Sequence, residues 1–248
     1  MPRGLSGYRC SPVAVLLVCI LWLLSATGFA QDRDVVLRAE FPADLAAPPS
    51  VAAFSGVVDP QYVARVPDAE AAASILEEAR WTFAGMIWGF DYSYTPSDKA
   101  RAIQERFDIR PRSPEAIAAM RLHAASARLE SSTLLVTVEF YPEAPARTEL
   151  ASWKTVSAAA QGLGSAPMLA ATANGPKSQV EARREATTVA IREALRAYLR
   201  TVTHNKPREV LGSFSFYAPP RIFIKDGSWV SSVRLYTRVD QILSYGAY

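Results

Sequence analysis

The chain contains very little cysteine and histidine, with two residues of each among 248. Cys10 and Cys19 both lie in the N-terminal region, so the rest of the chain has no thiol. Beyond that region the chain cannot form a disulfide, a thiolate metal site or a cysteine nucleophile. The two histidines, His123 and His204, are not paired at the spacing of metal ligands, and we expect no metal site.

Motifs for nucleophilic catalysis and phosphate binding are also missing. The sequence has no Gly-x-Ser-x-Gly turn, and Gly162 with Gly164 lacks the third glycine of a dinucleotide-binding loop. The adjacent Glu77 and Glu78 would point apart on a helix, whereas a glycosidase needs two carboxylates that face each other. We therefore expect no catalytic residue, no cofactor and no enzymatic activity. A hydrolase with an unrecognised site is one alternative.

The first thirty residues have the three regions of a secretory signal. Arg3 and Arg9 supply positive charge, residues 13–24 form an apolar run, and small residues follow it. This order predicts a cleavable signal peptide over residues 1–30, with cleavage near Ala30 and export to the periplasm. An uncleaved anchor is the alternative, but the run is short for a membrane-spanning helix, which needs about 20 apolar residues.

The charge balance excludes one class of partner. The formal net charge of the full chain is +3, and it falls to +1 when Arg3 and Arg9 leave with the signal. Near-neutral charge and export both argue against nucleic-acid binding. No later apolar run is long enough for a membrane span, so we expect no transmembrane segment after signal cleavage. The sequence does not indicate an oligomeric state.

The order of helical and strand patterns predicts an α+β fold. Residues 31–66 are rich in proline and alanine and are expected to form an extended lead-in with at most one short strand. Residues 67–248 are expected to form one α+β domain, or two subdomains over 67–142 and 150–248. We expect a mainly antiparallel sheet with helices packed on one face, and one long helix followed by a β-hairpin.

Periodicity places the earlier elements of this fold. Helical spacing runs from Asp68 to Met86, and alternating aromatic residues predict a strand from Trp88 to Tyr94. Capping residues and prolines predict helices over residues 98–107 and 113–127. Alternating apolar residues then predict a strand over residues 133–140.

The later elements are placed mainly by caps and turns. Residues 153–160 fit a strand in one interpretation. Ser178 and Glu181 form a capping box, which opens a helix that extends to about Val202. A strand follows it, and Asp226-Gly227 predicts the two-residue turn of the final hairpin. The long helix carries alanines that permit close approach to a sheet, namely Ala182, Ala186, Ala190, Ala194 and Ala197.

Two rows of side chains form the candidate partner surface. Alternating aromatic residues fit either a core strand or a surface on which sugar rings or peptidoglycan stack. Arginines at four-residue spacing on the long helix fit either a solvated face or a contact with an anionic surface or an acidic partner. The candidate residues are Trp88, Tyr92 and Tyr94 in the aromatic row and Arg184, Arg192, Arg196 and Arg200 in the arginine row.

The segment before the long helix carries a resemblance to a known family. A run of small residues from Ala158 to Gly164, an alanine-rich helix and following strands resemble the β-α-β core of LPP20-type envelope proteins. The same core resembles the N-terminal domain of the flagellar assembly protein T family. The resemblance implies a bacterial envelope protein, often tied to the outer membrane or the flagellar apparatus, without established catalysis. Many such proteins are lipoproteins, but here Val18 precedes Cys19 where a small residue is required.

Export, missing catalytic motifs and the two rows together favour a binding function. We expect a non-enzymatic periplasmic protein that binds or assembles with other envelope proteins, including flagellar components. A periplasmic module that binds glycan or a wall polymer through the aromatic row is the first alternative. Joint exposure of Trp88, Tyr92 and Tyr94 would favour that module, whereas burial would assign these side chains to the core.

Overall fold

The structure is a computed structural model, and it describes residues 35–45, 68–156, 158–168, 171–172, 175–176, 178–203 and 205–245. From Val36 onward the described residues belong to one compact unit. The predicted signal peptide and most of the predicted lead-in lie outside the described residues. Within the described ranges, no helix combines the length and apolar character needed to cross a membrane.

The described part of this unit contains four helices, a short 3-10 turn, two larger sheets and a two-residue ladder. The helices are α1 (Asp68–Ile87), α2 (Pro114–Ala119), α3 (Ala144–Val156) and α4 (Gln179–Val202), and the 3-10 turn is Lys99–Arg101. The strands are β1 (Leu37–Asp44), β2 (Phe90–Thr95), β3 (Arg106–Pro111), β4 (His123–Glu130), β5 (Thr133–Phe140), β6 (Ala158–Pro167), β7 (Glu209–Phe216), β8 (Arg221–Lys225) and β9 (Ser228–Leu243). A two-residue ladder joins Ala171–Thr172 to Gly175–Pro176.

All strand pairs in the two sheets are antiparallel. In the three-stranded sheet, β5 lies between β1 and β4. The six-stranded sheet has the order β3-β2-β7-β9-β6, and β8 pairs with the first part of β9 while β7 pairs with its second part. The predicted α+β fold with a mainly antiparallel sheet is confirmed, as is the long helix followed by strands.

Two predicted helices are wrong in whole or in part. The segment 98–107 forms only the 3-10 turn and the start of β3, because Phe107 pairs with Tyr94 in an alternating strand register. The helix predicted over 113–127 ends at Ala119, and the chain then continues as β4. In both segments strand pairing prevails over the local helical signal.

The segment before β6 also differs from its predicted structure. Residues 153–156 belong to helix α3 rather than to a strand, and β6 begins at Ala158. Trp153 fixes this helix, because its side chain is 2% exposed and its indole Nε1 donates a hydrogen bond to the carbonyl of Ile87 at 3.0 Å. Within the predicted lead-in, Leu37–Asp44 forms β1 and pairs with β5.

An aromatic cluster fills the space between α1 and the six-stranded sheet. Phe90, Phe214 and Phe216 are almost fully buried, and their ring centroids lie 5.3–6.1 Å apart. Aromatic pairs in this range stabilise a core beyond the area that they bury. Gly85 of α1 faces this cluster, and a Cβ there would lie 2.6 Å from the rings of Phe90 and Phe216.

Helix α4 packs directly on β6, with almost no side-chain layer between them. A Cβ at Gly162 or Gly164 would overlap the backbone of Ala190. Four of the five predicted alanines are fully buried in this contact, while Ala197 is exposed beyond it. The prediction that alanines permit close approach is therefore right for the first four, and it needs the two glycines of β6 as well.

A buried ion pair joins α4 to three other elements. Arg183 is 1% exposed, and its Nε donates to Oε1 of Glu78 in α1 at 3.0 Å. Its Nη2 also donates to the carbonyl of Pro42 in β1 at 3.0 Å. The guanidinium lies 5.2 Å from the ring of Trp229 in β9. Removal of one partner would leave a charge buried without compensation.

We expect Arg183→Met to lower the free energy of unfolding by about 3–5 kcal/mol, because Glu78 then stays buried without its partner. Adding Glu78→Leu should recover most of that loss, since neither charge then has to be buried. Urea unfolding of the single and double variants measures both effects.

The neighbouring pair Glu77–Arg184 supplies a matched control, because its carboxylate is well exposed and its ions are 2.9 Å apart. Arg184→Met should cost at most about 1 kcal/mol. If Arg183→Met and Arg184→Met lower the free energy of unfolding equally, burial of the Arg183–Glu78 pair has no effect on stability beyond that of an exposed pair.

Candidate functional site

The aromatic row, which fits either a core strand or a binding surface by its sequence, lies mostly in the core. Tyr92 and Tyr94 are 3% and 4% exposed, and Trp88 is half-buried. Tyr92 lies 6.3 Å from the ring of Phe214, so its ring belongs to the aromatic cluster. The interpretation of Trp88, Tyr92 and Tyr94 as an exposed row is therefore wrong for both tyrosines. Their rings are buried between the sheet and the helices.

Burial also sets the chemistry of these two phenols. It raises the pKa of Tyr92 to about 12. Burial, and then the hydrogen bond that its hydroxyl donates to Oε1 of Glu105 at 2.7 Å, raise the pKa of Tyr94 as well. Both side chains stay protonated at neutral pH, and the hydroxyl proton of Tyr94 is already engaged.

The first half of the arginine row is neutralised by acidic neighbours. Arg184 pairs with Glu77 at 2.9 Å. Arg192 lies 3.8 Å from a carboxylate oxygen of Glu105 and 3.4 Å from one of Glu193. These two arginines therefore serve contacts within the chain and offer little free positive charge to a partner.

The second half of the row lines an open cleft. Arg196 has one acidic neighbour, Glu193, at 3.7 Å, and no acidic side chain in the described ranges pairs with Arg200. Arg196, Arg200 and Tyr94 line a cleft of about 350 Å³ at the C-terminal end of α4. The structure thus brings together three residues that the sequence placed in two separate rows.

A second candidate surface is the outer edge of a sheet. Within the described residues, five strands of the two sheets pair with a neighbour on one side only, namely β1, β3, β4, β6 and β8. Proteins protect such edges with charged residues, proline, bulges or short length. Four of these strands carry charged residues, which are Arg38, Glu40 and Asp44 in β1, Arg106, Asp108 and Arg110 in β3, Arg128 and Glu130 in β4, and Arg221 and Lys225 in β8.

Strand β6 lacks these four features along most of its length, although helix α4 packs on one of its faces. It has 10 residues, no charged side chain and one proline, at its last position. It pairs with β9 over its whole length without a register shift. Leu163 is 59% exposed on the face opposite α4. No residue of the described chain pairs with its outer edge.

The sequence patterns located β6 only in part, with a possible strand over residues 153–160, because small residues are typical of both loops and strands. Its signal was the alternation of Ala160, Gly162 and Gly164 on one face, which is required by the contact with α4. That alternation has a period of two, but glycine is rare enough in strands to hide it.

Metal-binding chemistry finds no support among the described residues. No group of three or more histidine, cysteine, aspartate or glutamate side chains is arranged there to hold an ion. His123 is exposed on β4, with its ring 5.8 Å from that of Tyr141. The second histidine, His204, for which we also expect no role as a metal ligand, lies outside the described residues.

The comparisons with known proteins give a family but no activity. A family model matches residues 25–245, and the chain belongs to that uncharacterised family. The chain is similar to an uncharacterized protein of Treponema pallidum (strain Nichols), with 26% identity over 176 residues that cover 71% of each chain. No solved structure matches the chain.

We expect the stability of the protein to fall between pH 10 and about 12 through Tyr92. An unfolded tyrosine loses its proton near pH 10, whereas folded Tyr92 does so near 12. Its contribution is therefore complete below pH 10 and is lost as the pH rises towards 12. Urea unfolding at several pH values should show a smaller alkaline loss in Tyr92→Phe, by up to about 3 kcal/mol.

At pH 8 the Tyr92→Phe variant should unfold at nearly the same urea concentration as the unchanged protein, because the phenol of Tyr92 is then neutral in both the folded and the unfolded chain. An identical alkaline loss in the two proteins would show that Tyr92 ionises alike in the folded and unfolded chains.

Proposed function

We propose that this chain is a non-enzymatic protein of the bacterial periplasm that binds another envelope protein by strand addition at β6. In this mode an extended segment of the partner pairs with the open edge, and backbone hydrogen bonds supply the affinity. The expected partners are other envelope proteins, including flagellar components.

The observation that carries this proposal is the contrast between β6 and the other four edge strands. About half of the backbone N–H and C=O groups of an edge strand point away from its neighbour and need a partner or water. Charged side chains make the other edges poor templates for a second strand. The uncharged β6 presents its backbone groups without such an obstacle.

The position of α4 restricts which strand can bind there. Neighbouring strands lie about 4.8 Å apart, while a helix with its side chains is about 10 Å wide. Because α4 lies directly on β6, it overhangs the place of an added strand. The partner segment must therefore have small residues at every second position, on the side that faces α4.

The same overhang disfavours a second copy of this chain as the partner. Two paired β6 strands would bring two α4 helices onto the same face of a continuous sheet. Those two helices would then have to pack against each other above the joined strands. A partner segment that carries no covering helix avoids this requirement.

The alternatives have less support in the described residues. A glycan module based on the aromatic row would need exposed ring faces, and Tyr92 and Tyr94 are buried. A hydrolase would need converging catalytic groups in a pocket. Among its described lining residues, the cleft at the end of α4 has no acidic side chain. The larger open cleft over β2 and β3 has three, Asp91, Asp108 and Glu209, and these are engaged by Arg112, Arg106 and Ser93, respectively.

The test is a crosslinking pull-down of the exported protein from whole envelopes, comparing Leu163→Lys with the unchanged chain. A lysine at position 163 places a charge on the open edge, so recovery of the co-purified protein should fall at least about tenfold. Mass spectrometry measures the recovery.

Leu129→Lys is the matched control, because Leu129 is also 59% exposed and lies on the edge strand β4, which is already charged. This variant should recover the partner as well as the unchanged chain does. Equal recovery with Leu163→Lys, or no protein above background with the unchanged chain, would contradict the proposal.

A further inference from the structure

The cleft at the C-terminal end of α4 has the chemistry of an anion site. It lies between that end of the helix, the turn after β2 and the segment that leads into β7. Its volume of about 350 Å³ is within the range of about 300–1,000 Å³ that small-ligand sites have. Arg196, Arg200 and Lys206 all line it.

Two of these cations have no partner in the described part of the chain. Arg200 and Lys206 are exposed, and no acidic side chain there forms an ion pair with either. Arg196 forms an ion pair with Glu193, with 3.7 Å between its Nη1 and the Oε1 of Glu193. The uncharged donors Ser97 and Asn205 also line the cleft. An anion placed there would meet several donors, and no carboxylate is among the described lining residues.

The walls of the cleft indicate what carries the anionic group. Pro96, Leu199 and Pro207 line it together with the cations. Apolar walls suit the carbon atoms of an organic ligand, whereas a small inorganic ion uses only the donors. Tyr94 also lines the cleft, but its hydroxyl donates to Glu105, so the ring contributes mainly packing.

We infer that this cleft binds a carboxylate of a short acidic peptide segment, with Arg200 and Lys206 as the principal cationic contacts. A guanidinium can hold a carboxylate through two parallel hydrogen bonds, and an ammonium adds a compact charge beside it. This inference is independent of strand addition at β6, because the two surfaces share no residue.

The probe is the tripeptide acetyl-Ala-Ala-Glu with a free C-terminus, titrated into the isotope-labelled full chain and followed by amide NMR shifts. Shifts should concentrate at Ser97, Arg200 and Lys206. Binding should weaken as salt rises from about 0.05 to about 0.5 M, because exposed charges are screened. The uncharged peptide acetyl-Ala-Ala-Gln amide should bind at least about tenfold more weakly.

The double variant Arg200→Gln with Lys206→Gln should lose at least about tenfold in affinity for the acidic peptide. The matched control is Arg221→Gln with Lys225→Gln, which removes the same two charge types from exposed positions in β8. The control should bind as the unchanged chain does. If the first double variant fails to fold, the two single variants replace it, and each should lose part of the affinity.

Three results would overturn the inference. Equal binding of the acidic and uncharged peptides would show that no carboxylate is recognised. Unchanged affinity in the double variant would assign Arg200 and Lys206 to stabilisation of the helix C-terminus instead. Tighter binding of inorganic phosphate than of the peptide would assign the cleft to a phosphate-bearing ligand such as a wall polymer.

Discussion

The backbone contact between α4 and β6 is the constraint on which the rest of this structure depends. The helix can lie so close only because Gly162 and Gly164 face Ala186, Ala190 and Ala194, and larger residues would separate the two elements. This contact holds α4 over the sheet, where Arg183 meets Glu78 and the helix end meets β2. The buried ion pair joins α4 to α1, and either charge would be costly to bury without its partner.

The same constraint explains why β6 differs from the other edge strands. One face of β6 must consist of the smallest residues, and the face opposite α4 carries Ala159, Gln161, Leu163 and Ser165, none of them charged. The strand therefore lacks the side chains by which edges avoid pairing. The contact with α4 requires small residues on one face of β6, and the backbone groups along the outer edge of the strand are unpaired in the described chain. Together these two features produce a surface suited to a partner strand.

Much of the fold follows from local sequence signals, whereas the surfaces depend on contacts between distant segments. The capping box at Ser178 and the Asp226-Gly227 turn were predicted correctly, because their hydrogen bonds and φ angles are local. The helix predicted over 113–127 ends at Ala119, because the rest of that segment forms β4, whose pairing with the distant β5 is not a local signal. Arg200 was found by its spacing, but its cleft also needs Lys206 and β2, which pattern alone does not bring together.

Amide hydrogen exchange along β6, followed by NMR in the isolated protein, tests the open edge most directly. Residues of an antiparallel edge strand alternate between amides bonded to the neighbouring strand and amides that point outward. The account predicts alternating slow and fast exchange from Ala158 to Ala166, with the fast set becoming slow when a partner strand binds. Uniformly slow exchange in the isolated protein would mean that the edge is already covered, and it would contradict the account.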